Sequence, residues 1–274
     1  MVRIKHKKIR QISRSLMTLL LSTILGLSAC SEKSNPNTIV VGTMAGPETE
    51  LVELARNIAH DQYGLTVKII EFSDYNLPNV ALQDGTLDVN IFQHLPYLND
   101  AIEAHHYDLE VAGKTFLYPA AIYSSKIKSL KALQPGAIIA IPNDPSNEAR
   151  ALVLLQEAGL IRLKHKQSAA SLDDIKHNPK RYQFRELDAA QLPRVLPDVD
   201  IAVINTNFAI PAGLNPKYNG LFTENKNSPY ANLIVVRKDT PKMDKIKLLI
   251  DALHSEKVKE KAKNLFSGAA IPAW

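Results

Sequence analysis

Apolar residues along this chain fall into short continuous runs separated by longer stretches with helical spacing. Residues 38–43 form a β-rich run. Through Gly46-Pro47 it leads into 48–63, where Leu51, Leu54, Ala55, Ile58 and Ala59 share one face of a helix. Gly64 suits the C-terminal stop of that helix, and 65–72 returns to a strand pattern. Such a βαβ unit predicts a parallel strand pair with a right-handed crossover. A short helix is predicted over 77–82, a third strand over 87–92, and a helix from Pro96 to about His106.

A second set of elements follows. Strands are predicted over 120–123, 137–141, 200–204 and 233–236, with a helical turn over 130–133 and a helix over 148–158. Two amphipathic helices, over 242–254 and 256–266, complete the chain. Apolar strands alternating with helices predict a parallel α/β architecture. The βαβ spacing appears twice, over 39–72 and 137–204, and fits either one large sheet or two lobes with a cleft between them. In open α/β sheets ligands sit at the carboxyl ends of strands.

The first residues change the reading of the composition. A basic head (Arg3, Lys5, Lys7, Lys8, Arg10, Arg14) precedes an apolar run over 16–27, which closes on Leu27-Ser28-Ala29-Cys30. This is the order of a secretory signal, and the run is too short for a comfortable membrane span. The ending resembles a bacterial lipobox, in which the cysteine is acylated and becomes the N-terminus; Cys30 is the only cysteine of the chain. Residues 1–29 are then a signal peptide and 30–37 a flexible lipid-anchored tether. Those six basic residues, with no acid among residues 1–29, account for the whole-chain charge of +5, so the mature chain has no basic field to attract nucleic acid. With its thiol acylated it has no disulfide, and its stability must come from packing.

The unusual residues lie at strand ends. Phe92, His94 and Tyr97 gather aromatic surface and polar tips after the third strand, which suits a pocket for an apolar side chain or, equally, a helix start packed into the core. After strand 137–141 comes Asn143-Asp144-Pro145-Ser146-Asn147-Glu148-Ala149-Arg150. Asp144 or Ser146 would cap a helix, and Arg150 in its first turn would grip a carboxylate beside free N–H groups. Asn205 and Asn207 follow strand 200–204, and Asn232 precedes 233–236. Asparagines can hold a zwitterion without adding charge, or simply shape turns.

Signals for catalysis are weak. There is no G-x-S-x-G elbow, phosphate loop or dinucleotide fingerprint, so no cofactor is expected. The histidines are scattered, and the one adjacent pair, His105-His106, suits a solvated helix as well as a metal.

Several stretches taken together resemble a known family: Val41-Gly42-Thr43, Asn90-Ile91-Phe92-Gln93-His94, Tyr118-Pro119-Ala120-Ala121-Ile122-Tyr123-Ser124, Ile141-Pro142-Asn143-Asp144-Pro145-Ser146-Asn147, Val203-Ile204-Asn205-Thr206-Asn207 and Ser228-Pro229-Tyr230-Ala231-Asn232-Leu233. The chain is similar to the methionine-binding lipoproteins of bacterial ABC importers, the MetQ or NlpA family, from the lipobox to Ala273-Trp274. The resemblance implies an α/β, two-lobed periplasmic-binding-protein fold of type II, with crossover segments near Tyr118 and Asn232. Lobe 1 would comprise 38–118 and 233–274, and lobe 2 would comprise 119–232. It implies a lipid-anchored, non-enzymatic protein of the extracytoplasmic side that captures L-methionine and delivers it to an ABC permease with its own ATPase subunit.

Matched position by position, Arg150 would bind the ligand carboxylate, supported by Asn147. Asn205 and Asn232 would hold the amino and carboxyl groups. Tyr75, Phe92, His94 and Tyr97 would wall the side-chain pocket, where a thioether prefers aromatic edges. Two departures stand out. Phe208 replaces a tyrosine common in the family, and Glu148, two positions before Arg150, could pair with it and weaken its grip. D-methionine or a methionine dipeptide is the alternative ligand. A surface contact or adhesion role, or a secreted hydrolase using His94 with Asp74 or Asp88, is the alternative from another class. In a Gram-negative cell, Ser31 in place of an aspartate after Cys30 favours sorting to the outer membrane, whereas an importer partner would want the protein near the inner one.

Overall fold

The computed structural model describes residues 37–164 and 169–274. The signal segment over 1–29, Cys30 and the tether as far as Pro36 lie outside the described residues.

The first βαβ unit is β1 (Thr38–Met44), α1 (Pro47–Tyr63) and β2 (Thr66–Phe72). Leu51, Ala55, Ile58 and Ala59 of α1 are buried, as their helical spacing predicts. Gly64 ends the helix in the left-handed region, φ 63°, and its N–H reaches back to the carbonyls of Ala59 and His60, a conformation costly for any side chain with a Cβ. Next come α2 (Leu77–Gln83), β3 (Val89–His94), α3 (Leu95–His105) and β4 (Leu109–Leu117). The chain continues through β5 (Ala121–Tyr123), β6 (Ile138–Pro142), α4 (Pro145–Glu157), β7 (Arg162–Leu163), β8 (Ile175–His177) and β9 (Gln183–Leu187). It then forms α5 (Leu192–Val195), β10 (Ile201–Ile204), α6 (Thr206–Ala209), β11 (Phe222–Thr223) and β12 (Ala231–Arg237). The last elements are α7 (Met243–Leu253), α8 (Glu256–Leu265) and β13 (Ile271–Pro272).

Among the described residues the strands form two main sheets, not one. The first has order β13-β4-β12-β3-β1-β2 and the second β11-β5-β10-β6-β9, beside a small β7-β8 pair. Both expected βαβ pairings are present: β1 lies parallel to β2, and β6 parallel to β10. The expectation of wholly parallel sheets does not hold. In the first sheet β12 is antiparallel to both β3 and β4, and β13 to β4; in the second, β5 is antiparallel to β10 and β11. The physical reason lies in the connections. The chain passes between sheets over 118–120 and 224–230, and a strand arriving from the other sheet needs no helical crossover, so it can enter antiparallel.

Both faces of the first sheet are covered. Ile39, Val41 and Ile234 pack with α1, α7 and α8 on one side, while Leu82, Leu87, Leu98 and Val235 pack on the other. In the second sheet Ile139, Ile141 and Ile201 pack with Leu152 and Leu155 of α4, and Ala140, Ala202 and Ile204 with Leu192 and Leu196. Double coverage is why these strands read as continuous apolar runs. No helix of the described residues is long and apolar enough to cross a membrane.

Candidate functional site

The carboxyl ends of β1, β2, β3, β6 and β10 point their loops and helix starts into one cleft between the two sheets. The eight residues singled out as binding residues, Tyr75, Phe92, His94, Tyr97, Asn147, Arg150, Asn205 and Asn232, all line one cavity there. Gln93, Tyr118 and Asn207 line it too. The space totals about 320 Å³ and is narrow, with side chains of the two lobes in hydrogen-bond contact across it.

On the first lobe, Phe92 and His94 end β3. Tyr75 lies 5.9 Å from Phe92 and 5.9 Å from Tyr97 between ring centroids, and the Tyr97 hydroxyl donates to the Tyr75 carbonyl at 2.8 Å. Tilted against Phe92 and edge-on to Tyr97, the Tyr75 ring completes an apolar wall with polar tips. Below it, Asn79, Asn90 and Gln93 form a buried amide network, with Asn79 Nδ2 donating to Gln93 Oε1 at 2.9 Å and Asn90 Nδ2 to Asn79 Oδ1 at 2.9 Å. Within the Asn90–His94 stretch, then, Asn90 and Gln93 hold β3 to α2, and Phe92 and His94 supply the wall. Asn232 sits opposite His94 in register, where β12 slips against β3. Such an irregularity re-aims a side chain.

On the second lobe, α4 begins earlier than its apolar pattern suggests. Asp144 is the N-cap, accepting from the Asn147 N–H at 3.0 Å, and Pro145 takes the first helical position. Arg150 therefore lies in the second turn, not the first, and the backbone donor at Asn147 is already used. Asn147 Nδ2 also donates to Asp144, at 2.8 Å. Its Oδ1 accepts from Asn205 Nδ2 at 2.7 Å and, across the cleft, meets His94 Nε2 at 3.2 Å.

The expected Glu148–Arg150 pair is absent. Glu148 accepts from the Leu172 N–H at 2.9 Å, because a residue two positions along a helix points away from Arg150. The partner is Glu224, which no motif in the sequence marks. Arg150 Nε donates to Glu224 Oε1 at 3.0 Å and Nη2 to Oε2 at 2.5 Å, with side chains only 5% and 8% exposed. Nη2 also donates to the Tyr118 carbonyl at 3.0 Å, and the guanidinium lies 4.4 Å over the Tyr230 ring. Three of its five N–H groups are thus committed, and the two on Nη1 are in none of the described hydrogen bonds. The bidentate fork expected for a ligand is taken by Glu224.

Several contacts join the lobes at the cavity, and three bear on the residues singled out above. They are His94 with Asn147; Asn207 Nδ2 donating to Glu48 Oε2 at 2.8 Å; and Phe208 against Tyr75, 4.9 Å between centroids. Phe208 thus packs as a ring, with no hydroxyl required. Glu48, 4% exposed, also accepts from Asn232 Nδ2 at 3.0 Å. Burial drives its pKa up from 4.5 to about 8, with the two asparagine bonds opposing. Burial, with Arg150 adding to it, drives His94 down from 6.5 to about 3. His94 is therefore neutral at pH 7. Its Nδ1 accepts from the Tyr97 N–H at 3.3 Å, which leaves the proton on Nε2, facing Asn147. Neither Asp74 nor Asp88 is its partner: Asp74 accepts from the Asn76 N–H, and Asp88 from Lys242 and the Val40 N–H.

Glu48, Glu224 and Tyr230 are the residues that sequence reasoning left without a role. Tyr230 carried a signal through its Ser-Pro-Tyr-Ala-Asn stretch. The two acids carried none, since an isolated Glu reads as surface.

Residues 39–274 match the NlpA lipoprotein family. The chain is 46% identical over 254 residues to the D-methionine-binding lipoprotein MetQ of Escherichia coli O157:H7, covering 91% of this chain and 94% of that one. Among solved structures, an ABC transporter periplasmic substrate-binding protein from Coxiella burnetii shares 54% identity at a TM-score of 0.82, over 86% of this chain and all of the other (100%). A nutrient-binding protein from Burkholderia cenocepacia bound to methionine shares 48% at a TM-score of 0.82, again over 86% and 100%. With two α/β lobes around an aromatic and carboxamide cleft, and a match that runs to its last residue, this chain belongs to the NlpA lipoprotein family.

Proposed function

We propose that this protein is a solute-binding lipoprotein of an ABC importer that captures methionine between its two lobes, with L-methionine as the ligand. The observation that carries the reading is the meeting in one cavity of Arg150, four asparagine carboxamides and an aromatic wall. These match the carboxylate, ammonium and thioether of methionine in turn. Lobe 1, over 38–118 and 233–274, supplies the wall, lobe 2, over 119–232, supplies Arg150, Asn147 and Asn205, and Asn232 stands at the boundary, in β12 of the first sheet. The tightness of the cavity supports capture by hinge motion: the lobes part over 118–120 and 224–230, admit the ligand, and close with it as the bridge. The engagement of both His94 nitrogens supports binding over hydrolysis, since no free base faces the cavity at that ring.

The test is calorimetric titration of protein unfolded, dialysed and refolded to remove carried ligand. One-site binding of L-methionine at submicromolar Kd, about −8 kcal/mol or tighter, is expected. Tighter binding of D-methionine or a methionine dipeptide keeps the cleft and changes the ligand; no heat from any of the three sinks the methionine reading.

The same reading makes Cys30 the lipid anchor on the extracytoplasmic face, from which the protein would hand ligand to a permease and its ATPase. Several acyl chains exceed the two signals stable anchoring needs. Cys30→Ser is expected to move the protein from the membrane fraction to the soluble one. A Cys30→Ser protein still sedimenting with membranes through a high-salt wash would rule out that anchor.

A further inference from the structure

Arg150 of the cavity lining is paired with Glu224 behind it, whereas Glu48, bonded to the lining residues Asn207 and Asn232, has no cation among the described residues. Glu48 enters from the start of α1 behind Asn207 and Asn232, buried, and no described residue forms an ion pair with it. A buried carboxyl without a cation is costly, and is either protonated or matched by a charge supplied from elsewhere. Both its oxygens accept carboxamide N–H groups: Asn232 Nδ2, from β12 of the first sheet, on Oε1, and Asn207 Nδ2, from α6 after the second sheet's β10, on Oε2. That fixes which end of each carboxamide is committed. Oδ1 of Asn207 and of Asn232 takes part in no described hydrogen bond, and both residues line the cavity. Acceptors with a negative group behind them suit a cation.

We propose that Glu48 is the counter-charge for the ammonium of an α-amino-acid ligand, acting as a positioning residue through Asn207 and Asn232. The proposal rests on the amino-acid reading of the cleft. Each charged end of the ligand then meets an opposite charge: the carboxylate meets Arg150, which it shares with Glu224, and the ammonium meets the carboxamide oxygens polarised by Glu48. The same arrangement selects for amino acids over their 2-hydroxy analogues, because a hydroxyl brings no charge to match. It also predicts a proton. The other ionisable groups that sense Glu48 are the phenols of Tyr75 and Tyr118, both neutral at pH 7 because burial raises them further. Without ligand, burial keeps the Glu48 carboxyl largely protonated at pH 7. An arriving ammonium favours the carboxylate, so binding releases a proton.

The experiment compares wild type with Glu48→Gln for two ligands, methionine and its 2-hydroxy analogue, by calorimetry. The expected result is a loss of about tenfold or more in methionine affinity, with the analogue changed by less than about threefold. Equal losses for both ligands, or no loss for either, would overturn the proposal, since a purely structural role moves both together. Wild-type titrations in buffers of different ionisation enthalpy give a second reading that needs no variant. Proton release is expected near pH 7 with methionine and not with the analogue, and its absence overturns the proposal. The wild-type titration also separates the two claims. If wild type binds a different α-amino acid, the substrate reading fails alone and the comparison is made with that acid and its 2-hydroxy analogue. If it binds no amino acid, both fail.

Discussion

Arg150→Ala is expected to weaken methionine binding by ~2–4 kcal/mol, roughly thirty- to a thousandfold in Kd. The two Nη1 N–H groups are the donors this arginine has left, and the other cavity carboxamides are bound to one another or to Glu48. The same substitution strips Glu224 of its only described charged partner while its side chain stays 8% exposed. Breaking one side of a buried pair costs about 3–5 kcal/mol of stability. The two effects separate in the double variant Arg150→Ala/Glu224→Ala, where no charge is stranded. Urea unfolding should show the double variant more stable than the single one, and calorimetry should show both equally poor at binding. Wild-type affinity in the single variant would remove Arg150 from the carboxylate site. A double variant that binds well would mean that Glu224, not ligand, was the reason for the arginine.

The second large effect concerns pH. His94 has a folded pKa of about 3 against an ordinary 6.5, first through burial and then through the Arg150 charge. Below pH 6.5 the unfolded chain takes up a proton on this ring and the folded one does not. The contribution of His94 is therefore complete above pH 6.5 and is lost as pH falls toward 3, at about 1.4 kcal/mol per unit. Glu48 acts in the opposite direction. With its folded pKa raised from 4.5 to about 8, the folded state holds a proton that the unfolded chain has released, so stability from this group falls as pH rises through that window. Between 4.5 and 6.5 the two slopes oppose; below 4.5 His94 acts alone. Comparing His94→Gln with wild type isolates the histidine, since glutamine retains an N–H for Asn147. The stability difference from wild type should shift in favour of the variant by a few kcal/mol from about pH 6.5 to about pH 4, measured by urea unfolding. Parallel pH curves for the two proteins would show that His94 is protonated in the folded state, and that its bond to Asn147 is not the neutral one described.

Much of the fold was legible because its causes are local. The stripe Leu51, Ala55, Ile58 and Ala59 repeats at the helical period because one side of α1 is buried. Strands such as Ile201–Ile204 read as unbroken apolar runs because both of their faces are covered. Among the strands that were not legible, the two longest escaped for the converse reason. β9 is an edge strand with a mostly exposed, charged sequence, and β4 mixes exposed polar residues and Gly113 into its first half. Edge exposure removes the apolar signal on which a strand is recognised.

The amino-acid sequence alone determined the alternation of strands and helices, the cap at Asp144 and the stretches that end at the cleft. Each depends on residues a few positions apart, where spacing sets who can touch. Tertiary structure alone decided that there are two sheets, that β12 returns antiparallel, and which acids bond to the residues lining the cleft. Glu224 lies 74 residues from Arg150, and Glu48 lies 184 residues from Asn232. Local pattern suggested Glu148 for Arg150 because it was near in the chain. The helix turned it away, and the segment that connects the two sheets brought Glu224 instead. A charge finds its partner by distance in space, and over such separations only the folded chain sets that distance.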